Sequence, residues 1–212
     1  DSVDLTLDTI NNKYVSLDMG FPYVNVNGAM GIDLDLSFSS DLIKVSGSIL
    51  GDNSDVSFVT SSLQASLFSD EYFEVNKSEK KESSMNALVD LDIIAGQRVQ
   101  ILFNPLLRGV VVPDTRLKFY MDTKTGDFSL KGDVSLRGGE IVWLNRNFYM
   151  KEGRILFNET QDNMDPRLTV RAETRERDNS GNQVTIILSS TNQLLSAFNP
   201  ILSASPAKSE RE

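Results

Sequence analysis

The stretch Met30-Gly31-Ile32-Asp33-Leu34-Asp35-Leu36-Ser37-Phe38 decides the fold class. Met30, Ile32, Leu34, Leu36 and Phe38 take every second place, and Gly31, Asp33, Asp35 and Ser37 fall between them. A period of two is that of a strand with one face buried and the other solvated. A helix would need the apolar residues three and four apart.

The same period recurs along the chain. Phe128, Leu130, Val134 and Leu136 alternate with Ser129, Lys131, Asp133, Ser135 and Arg137. Leu117, Phe119 and Met121 interleave with Arg116, Lys118 and Tyr120, and Leu168, Val170 and Ala172 with Arg167, Thr169, Arg171 and Glu173. Weaker alternation marks residues 3–7, 23–26, 43–49, 56–59, 87–93, 99–103, 141–143, 155–157 and 184–188. Turn formers punctuate these runs: Met19-Gly20, Asn27-Gly28, Gly51-Asp52-Asn53, Pro113-Asp114, Thr125-Gly126-Asp127 and Gly138-Gly139. Short strands with turns between them predict an antiparallel all-β protein, and without crossover helices a doubly wound α/β sheet is excluded. Residues 62–70 stay ambiguous, because Ser61-Ser62-Leu63-Gln64 resembles a capping box while Leu63, Ala65 and Leu67 also alternate. Residues 76–84 hold no apolar side chain apart from the stems of their lysines and read as a solvated loop, a break within one sheet. The expected organisation is one segment over 1–202 and a polar, fraying tail over 203–212.

The composition removes much chemistry. Among 212 residues there is no cysteine and no histidine. That excludes disulfides, thiolate nucleophiles and sulfur-ligated zinc, together with the commonest general base. The net charge of −9 argues against a nucleic-acid partner. The charge is graded along the chain: −7 over residues 1–60, −3 over 61–100 and +1 over 101–212. No apolar run approaches the length of a membrane-spanning helix. The chain opens at Asp1 within a strand-like pattern, which reads as part of something longer whose anchor or export signal lies upstream.

Candidate chemistry is sparse. Asp33 with Asp35, and Asp90 with Asp92, are carboxylates two apart and so share a strand face. They could form a paired acid site or a calcium ligand set. A solvated, negatively charged face is the favoured reading, because exposed carboxylates are the rule. Arg167, Arg171, Arg175 and Arg177 could meet lipid headgroups, but Glu173 and Glu176 balance them, and an outward strand face is favoured. Trp143, the only tryptophan, reads as a core or groove anchor. Val142 and Leu144 lie on the alternate face of its strand, which predicts that this strand is covered on both sides. Gly138-Gly139 and Gly153 lack the context of a phosphate-binding loop, and the Asn-x-Ser/Thr sequences at Asn76 and Asn158 carry no weight. No catalytic constellation emerges, so the expectation is a non-enzymatic protein without cofactor or metal. What remains is a large one-sided apolar surface. A second sheet, a closed barrel or a ligand held in an open curved sheet could cover it, and periodicity does not choose among the three.

A succession in the C-terminal part bears on that choice. It comprises the run from Gly126 to Ile141, then Phe148-Tyr149-Met150-Lys151-Glu152-Gly153-Arg154-Ile155-Leu156-Phe157, then Asp165-Pro166-Arg167-Leu168-Thr169-Val170-Arg171-Ala172, and finally Ser205-Pro206 and Ser209-Glu210. Its order and spacing resemble the TamB C-terminal domain, of the translocation and assembly module, with Gly153-Arg154-Ile155-Leu156-Phe157 and Asp165–Ala172 the most specific pieces. Residues 85–212 carry the resemblance, whereas residues 1–84 share only its strand style. Ser189-Ser190-Thr191-Asn192 stands where the family often has glycine, and the family continues with an apolar segment where this chain stops at Glu212.

The resemblance implies an elongated, U-shaped antiparallel sheet, a β-taco with an apolar concave groove, as in AsmA-like and bridge-like lipid transfer proteins. A β-sandwich or barrel is the alternative. It implies a periplasmic segment of a protein anchored in the inner membrane, with phospholipid acyl chains and a TamA/BamA-type outer-membrane protein as partners. Its expected roles are phospholipid conduction to the outer membrane or, alternatively, assistance to autotransporter insertion. On this reading Ile32, Leu34, Leu36, Phe38, Leu117, Phe119, Phe128, Leu130, Val134, Leu136, Ile141, Trp143, Ile155 and Phe157 line the groove. Hydrocarbon needs only apolar contact, worth about 0.8 kcal/mol per buried methylene, so the absence of histidine and cysteine is then expected.

Overall fold

The computed structural model describes residues 2–9, 13–20, 24–58, 85–161 and 163–206. The segment 62–70 and the loop 76–84 lie outside these residues. Among the described residues thirteen strands form one sheet: β1 (Val3–Asp8), β2 (Val15–Gly20), β3 (Val24–Phe38), β4 (Leu42–Phe58), β5 (Asn86–Ala95), β6 (Gln100–Phe103), β7 (Leu107–Val111), β8 (Arg116–Asp122), β9 (Phe128–Trp143), β10 (Arg146–Thr160), β11 (Arg167–Arg177), β12 (Gln183–Leu194) and β13 (Ile201–Ser205). The sheet is strongly curved and is not a closed barrel. The final strand takes in residues 203–205, a correction to the tail expected from residue 203 onward.

Several strands share a line. β1 and β2 lie end to end along β3, β5 and β6 along β4, and β7 and β8 along β9. The breaks at 96–99 and 112–115 face one another. The amide of Ala95 donates to the carbonyl of Thr115 (2.9 Å), and that of Asp114 to the carbonyl of Ala95 (2.7 Å). Each break re-aims the chain without leaving the sheet, as bulges do.

The sheet is mixed, which corrects the wholly antiparallel expectation. β4 pairs in parallel with both β5 and β6. A parallel pair needs a long return connection, and residues 59–85 supply the length. Alternation reports which face a side chain takes and says nothing of strand direction.

Three expected turns lie inside strands. Asn27-Gly28 falls within β3, where the register slips between Asn27 and Ala29. Gly51-Asp52-Asn53 falls within β4, and Gly138-Gly139 within β9. Glycine there serves curvature and bulging rather than reversal. The reversal between β9 and β10 is Leu144-Asn145, with φ of 50° and 58°. Positive φ at both central residues is the primed geometry of a two-residue hairpin. Leucine rarely adopts it, so Leu144 gives no sign of this turn, although Asn145 suits its second position. Val142 (37% exposed) and Leu144 (71% exposed) are accordingly open to solvent, and the expected double covering of this strand is absent.

Gly47 shows what the curvature requires. Its φ is +132°, and a Cβ there would lie 2.1 Å from the carbonyl oxygen of Asp33 on the paired strand. At Gly138, by contrast, an added Cβ would meet no atom within 4 Å. Gly47→Ala is therefore expected to destabilise the protein by about 2 kcal/mol, read by denaturant unfolding, while Gly138→Ala changes it little. Equal effects at the two sites would contradict this account of the bend.

Candidate functional site

Cross-strand register gathers the apolar positions into rows. One row runs Leu34, Gly47, Leu91, Phe119, Leu130 from β3 to β9. A second runs Ile32, Ile49, Ile93, Leu117, Gly132, Phe157 and so reaches β10. A third runs Leu36, Val45, Val89, Met121, Phe128. These rows lie on the concave face, where residues from β3 through β9 line a partly open cavity of about 120 Å³.

The groove residues expected from sequence fall into three environments. Leu117, Phe119, Leu130 and Val134 line that cavity. Leu136, Ile141, Ile155 and Phe157 are buried in the core beyond it, with Leu168, Val170 and Leu188. Trp143 is half-buried there, its ring meeting Phe198 edge-on with centroids 5.3 Å apart. Ile32, Leu34, Leu36, Phe38 and Phe128 are also half-buried. The concave face is thus filled by its own side chains towards the C-terminal strands and accessible towards the N-terminal ones. On β1, Val3, Leu5 and Leu7 pair opposite Phe38, Leu36 and Leu34 and are 59%, 51% and 49% exposed.

Sequence reasoning missed the aromatic centre of this arrangement. Phe58 of β4 stacks on Phe103 of β6 with centroids 4.8 Å apart, and Phe157 of β10 approaches them to 5.2 and 6.3 Å. The weak alternations at 56–59 and 99–103 mark both regions as strands. Nothing in a period of two shows which distant strands will face one another across a bend.

The charged candidates lie elsewhere. Asp33, Asp35, Asp90 and Asp92 alternate with the apolar rows and are exposed on the outer face. Lys118 lies 2.7 Å from Asp90 and 3.4 Å from Asp92. Its hydrogen bond to Asp90 is the main reason its pKa is raised. The pairs do not converge in a cleft, and among the described residues no cluster of three or more acidic side chains is placed to hold a metal ion. Three of the four arginines of the row are engaged within the chain: Arg167 donates to the carbonyl of Asn192 (3.1 Å), Arg171 pairs with Glu173 (3.0 Å), and Arg177 donates to the carbonyl of Gly181 (3.2 Å).

The two specific motifs have structural roles. In Gly153–Phe157, Ile155 and Phe157 point into the core, while Arg154 holds Asp133 on the outer face and keeps its carboxyl below the usual range. In the Asp165–Ala172 stretch, just ahead of β11, the Asp165 carboxylate accepts the amide of Ser196 (2.9 Å) and its hydroxyl, and the Pro166 carbonyl accepts the amide of Leu195 (3.0 Å). Both fasten the 3-10 turn Leu195–Ala197 over the end of the core. The amide of Asp165 in turn donates to Glu159, a buried carboxylate that also accepts the amide of Asn158.

A curved sheet that does not close, apolar within and charged without, defines the class: an all-β protein built on one open sheet. Within that class the chain belongs to the TamB C-terminal domain family, whose model matches residues 4–212. The match therefore extends through the N-terminal strands, where the resemblance of the sequence is one of strand style only. A search of curated proteins gives no match to the chain. Family membership makes it a TamB-like protein of the cell envelope. No helix among the described residues is long and apolar enough to cross a membrane.

Burial raises the pKa of Glu159, its two backbone hydrogen bonds opposing the shift only in part. A raised carboxyl stabilises the fold below the ordinary glutamate range, and that contribution is lost as pH rises through the elevated value. The unfolding midpoint of the natural protein, relative to Glu159→Gln, is expected to fall between acidic and neutral pH. Parallel profiles would show that Glu159 titrates as it does in the unfolded chain.

Proposed function

We propose that the concave groove is a passage for phospholipid acyl chains within a periplasmic, membrane-bridging TamB-like protein, delivering lipid to the outer membrane without catalysis or cofactor. The observation that carries this reading is the apolar inner face, which is exposed on β1 at Val3, Leu5 and Leu7 and half-buried on β3 at Ile32, Leu34, Leu36 and Phe38, while the outer face bears the charges. Such a surface suits hydrocarbon, which each methylene's transfer from water favours by about 0.8 kcal/mol. It offers nothing to an ionic substrate. An inner-membrane anchor on an upstream part of the protein belongs to this proposal, as does a TamA/BamA-type partner at the outer membrane.

A second reading draws on the sheet's ends. Among the described residues β1 and β13 each pair on one side only, and Ile201 and Leu202 of β13 are exposed. An unpaired edge can receive a strand from another chain, so this edge suits a helper of outer-membrane protein insertion.

Native mass spectrometry with lipid extraction tests the first reading. Phospholipid should accompany the purified protein and be lost, by about tenfold or more, in Leu34→Asp/Leu36→Asp, because an aspartate carboxylate in the acyl path must be desolvated. Lipid-free natural protein, or an unaffected double variant, would contradict it. Proline in β13 should spare lipid and impair partner pairing if the second reading holds.

A further inference from the structure

We infer that Phe58, Phe103 and Phe157 form the floor of an end-on acyl-chain site, at which a lipid chain entering from the N-terminal strands stops. This rests on the groove reading and specifies which hydrocarbon the groove takes and where the passage must leave the concave face, in front of the filled core.

The cavity's lining decides the occupant. It includes Met30, Val56, Leu91, Ile101 and Leu130, and no charged residue. Its two hydroxyls are already engaged: Ser54 lies 3.1 Å from the carbonyl of Ala29 and 2.9 Å from that of Asp52, and Thr115 donates to the carbonyl of Val112 at 2.6 Å. A headgroup placed there would lose its water and find no replacement partner. The size is decisive as well. About 120 Å³ is close to an apolar cavity that accepts one benzene. It admits the end of one chain and excludes a whole lipid.

The floor follows from the rings. Phe58 lines the cavity, Phe103 stacks behind it, and Phe157 closes the group from the other arm of the curved sheet. Phe103 and Phe157 are fully buried. Behind them Ile141, Ile155, Leu168 and Leu188 are also fully buried and packed together. On the opposite side the apolar rows run out through Leu34, Leu36 and Phe38 to the exposed Leu5 and Leu7. The chain end therefore points at the rings, and the headgroup remains outside near β1.

Photolabelling of the full chain with two lysophosphatidylcholines tests this, one carrying a diazirine at the terminal carbon and one near the headgroup. The terminal probe should label Phe58, Ile101 and Leu130, the proximal probe Leu34 and Leu36, and neither Leu168 nor Leu188. Phe157→Ala should extend terminal labelling to Ile155 and Leu168. Ala95→Phe fills the cavity and should weaken probe binding about tenfold, the contact of about two methylenes, with the unfolding midpoint showing that the fold is retained. Terminal labelling of Leu168 or Leu188 in the natural protein overturns the floor and leaves the groove reading standing. Labelling of Leu34 and Leu36 alone by both probes overturns end-on insertion. Absence of labelling anywhere overturns the groove reading and the floor together.

Discussion

The structure depends on one constraint: each long strand carries a continuous apolar face, and that face must leave water. A flat sheet of thirteen strands would expose all of it. Curving brings β10 against β4 and β6, so that Phe157 meets Phe58 and Phe103 across the bend. Towards the C-terminal strands the two arms cover each other, and Ile141, Ile155, Leu168 and Leu188 are fully buried. Towards β1 no opposite arm lies within reach among the described residues, and Val3, Leu5 and Leu7 remain in contact with solvent. The same driving force thus makes a filled core at one end and leaves an accessible apolar face at the other.

Backbone geometry makes the curvature possible. Gly47 occupies a φ that other residues rarely adopt, at a point where the backbone of β3 approaches too closely for any side chain. Glycines at residues 28, 132 and 139 have similar φ, and all four lie within strands. The end of the core is closed by hydrogen bonds rather than by more apolar surface. Asp165, held from Glu159, fastens the turn that carries Leu195, with Phe198 beside it. The Asp-Pro-Arg-Leu sequence is therefore a structural fastening, which accounts for its specificity without invoking a ligand.

Much of this is legible in the sequence because period-two alternation assigns faces directly. Met30–Phe38 and Phe128–Leu136 fall inside strands, and their apolar members share the concave face. Direction is not legible, since a parallel neighbour and an antiparallel one demand the same alternation of β4. Glycine suggests a turn at three places where the chain continues as strand, because a bulge and a turn use the same conformational freedom. Leu144 reads as strand because leucine gives no warning of positive φ. The aromatic floor is out of reach, since Phe58, Phe103 and Phe157 come together only through the bend. The acidic character of the first sixty residues maps in part onto the outer face, at Asp33 and Asp35, and has no further structural account.

One concave face changes from accessible to filled along the sheet. The absence of native cysteine makes this directly measurable. Single cysteines placed at Leu5, Leu34 and Leu36, and at Ile155, Leu168 and Leu188, can be challenged in the folded protein with a small apolar thiol reagent. The account predicts rapid modification of the first three and protection of the last three until global unfolding. Comparable reactivity at all six would contradict it, whether all were open or all were closed.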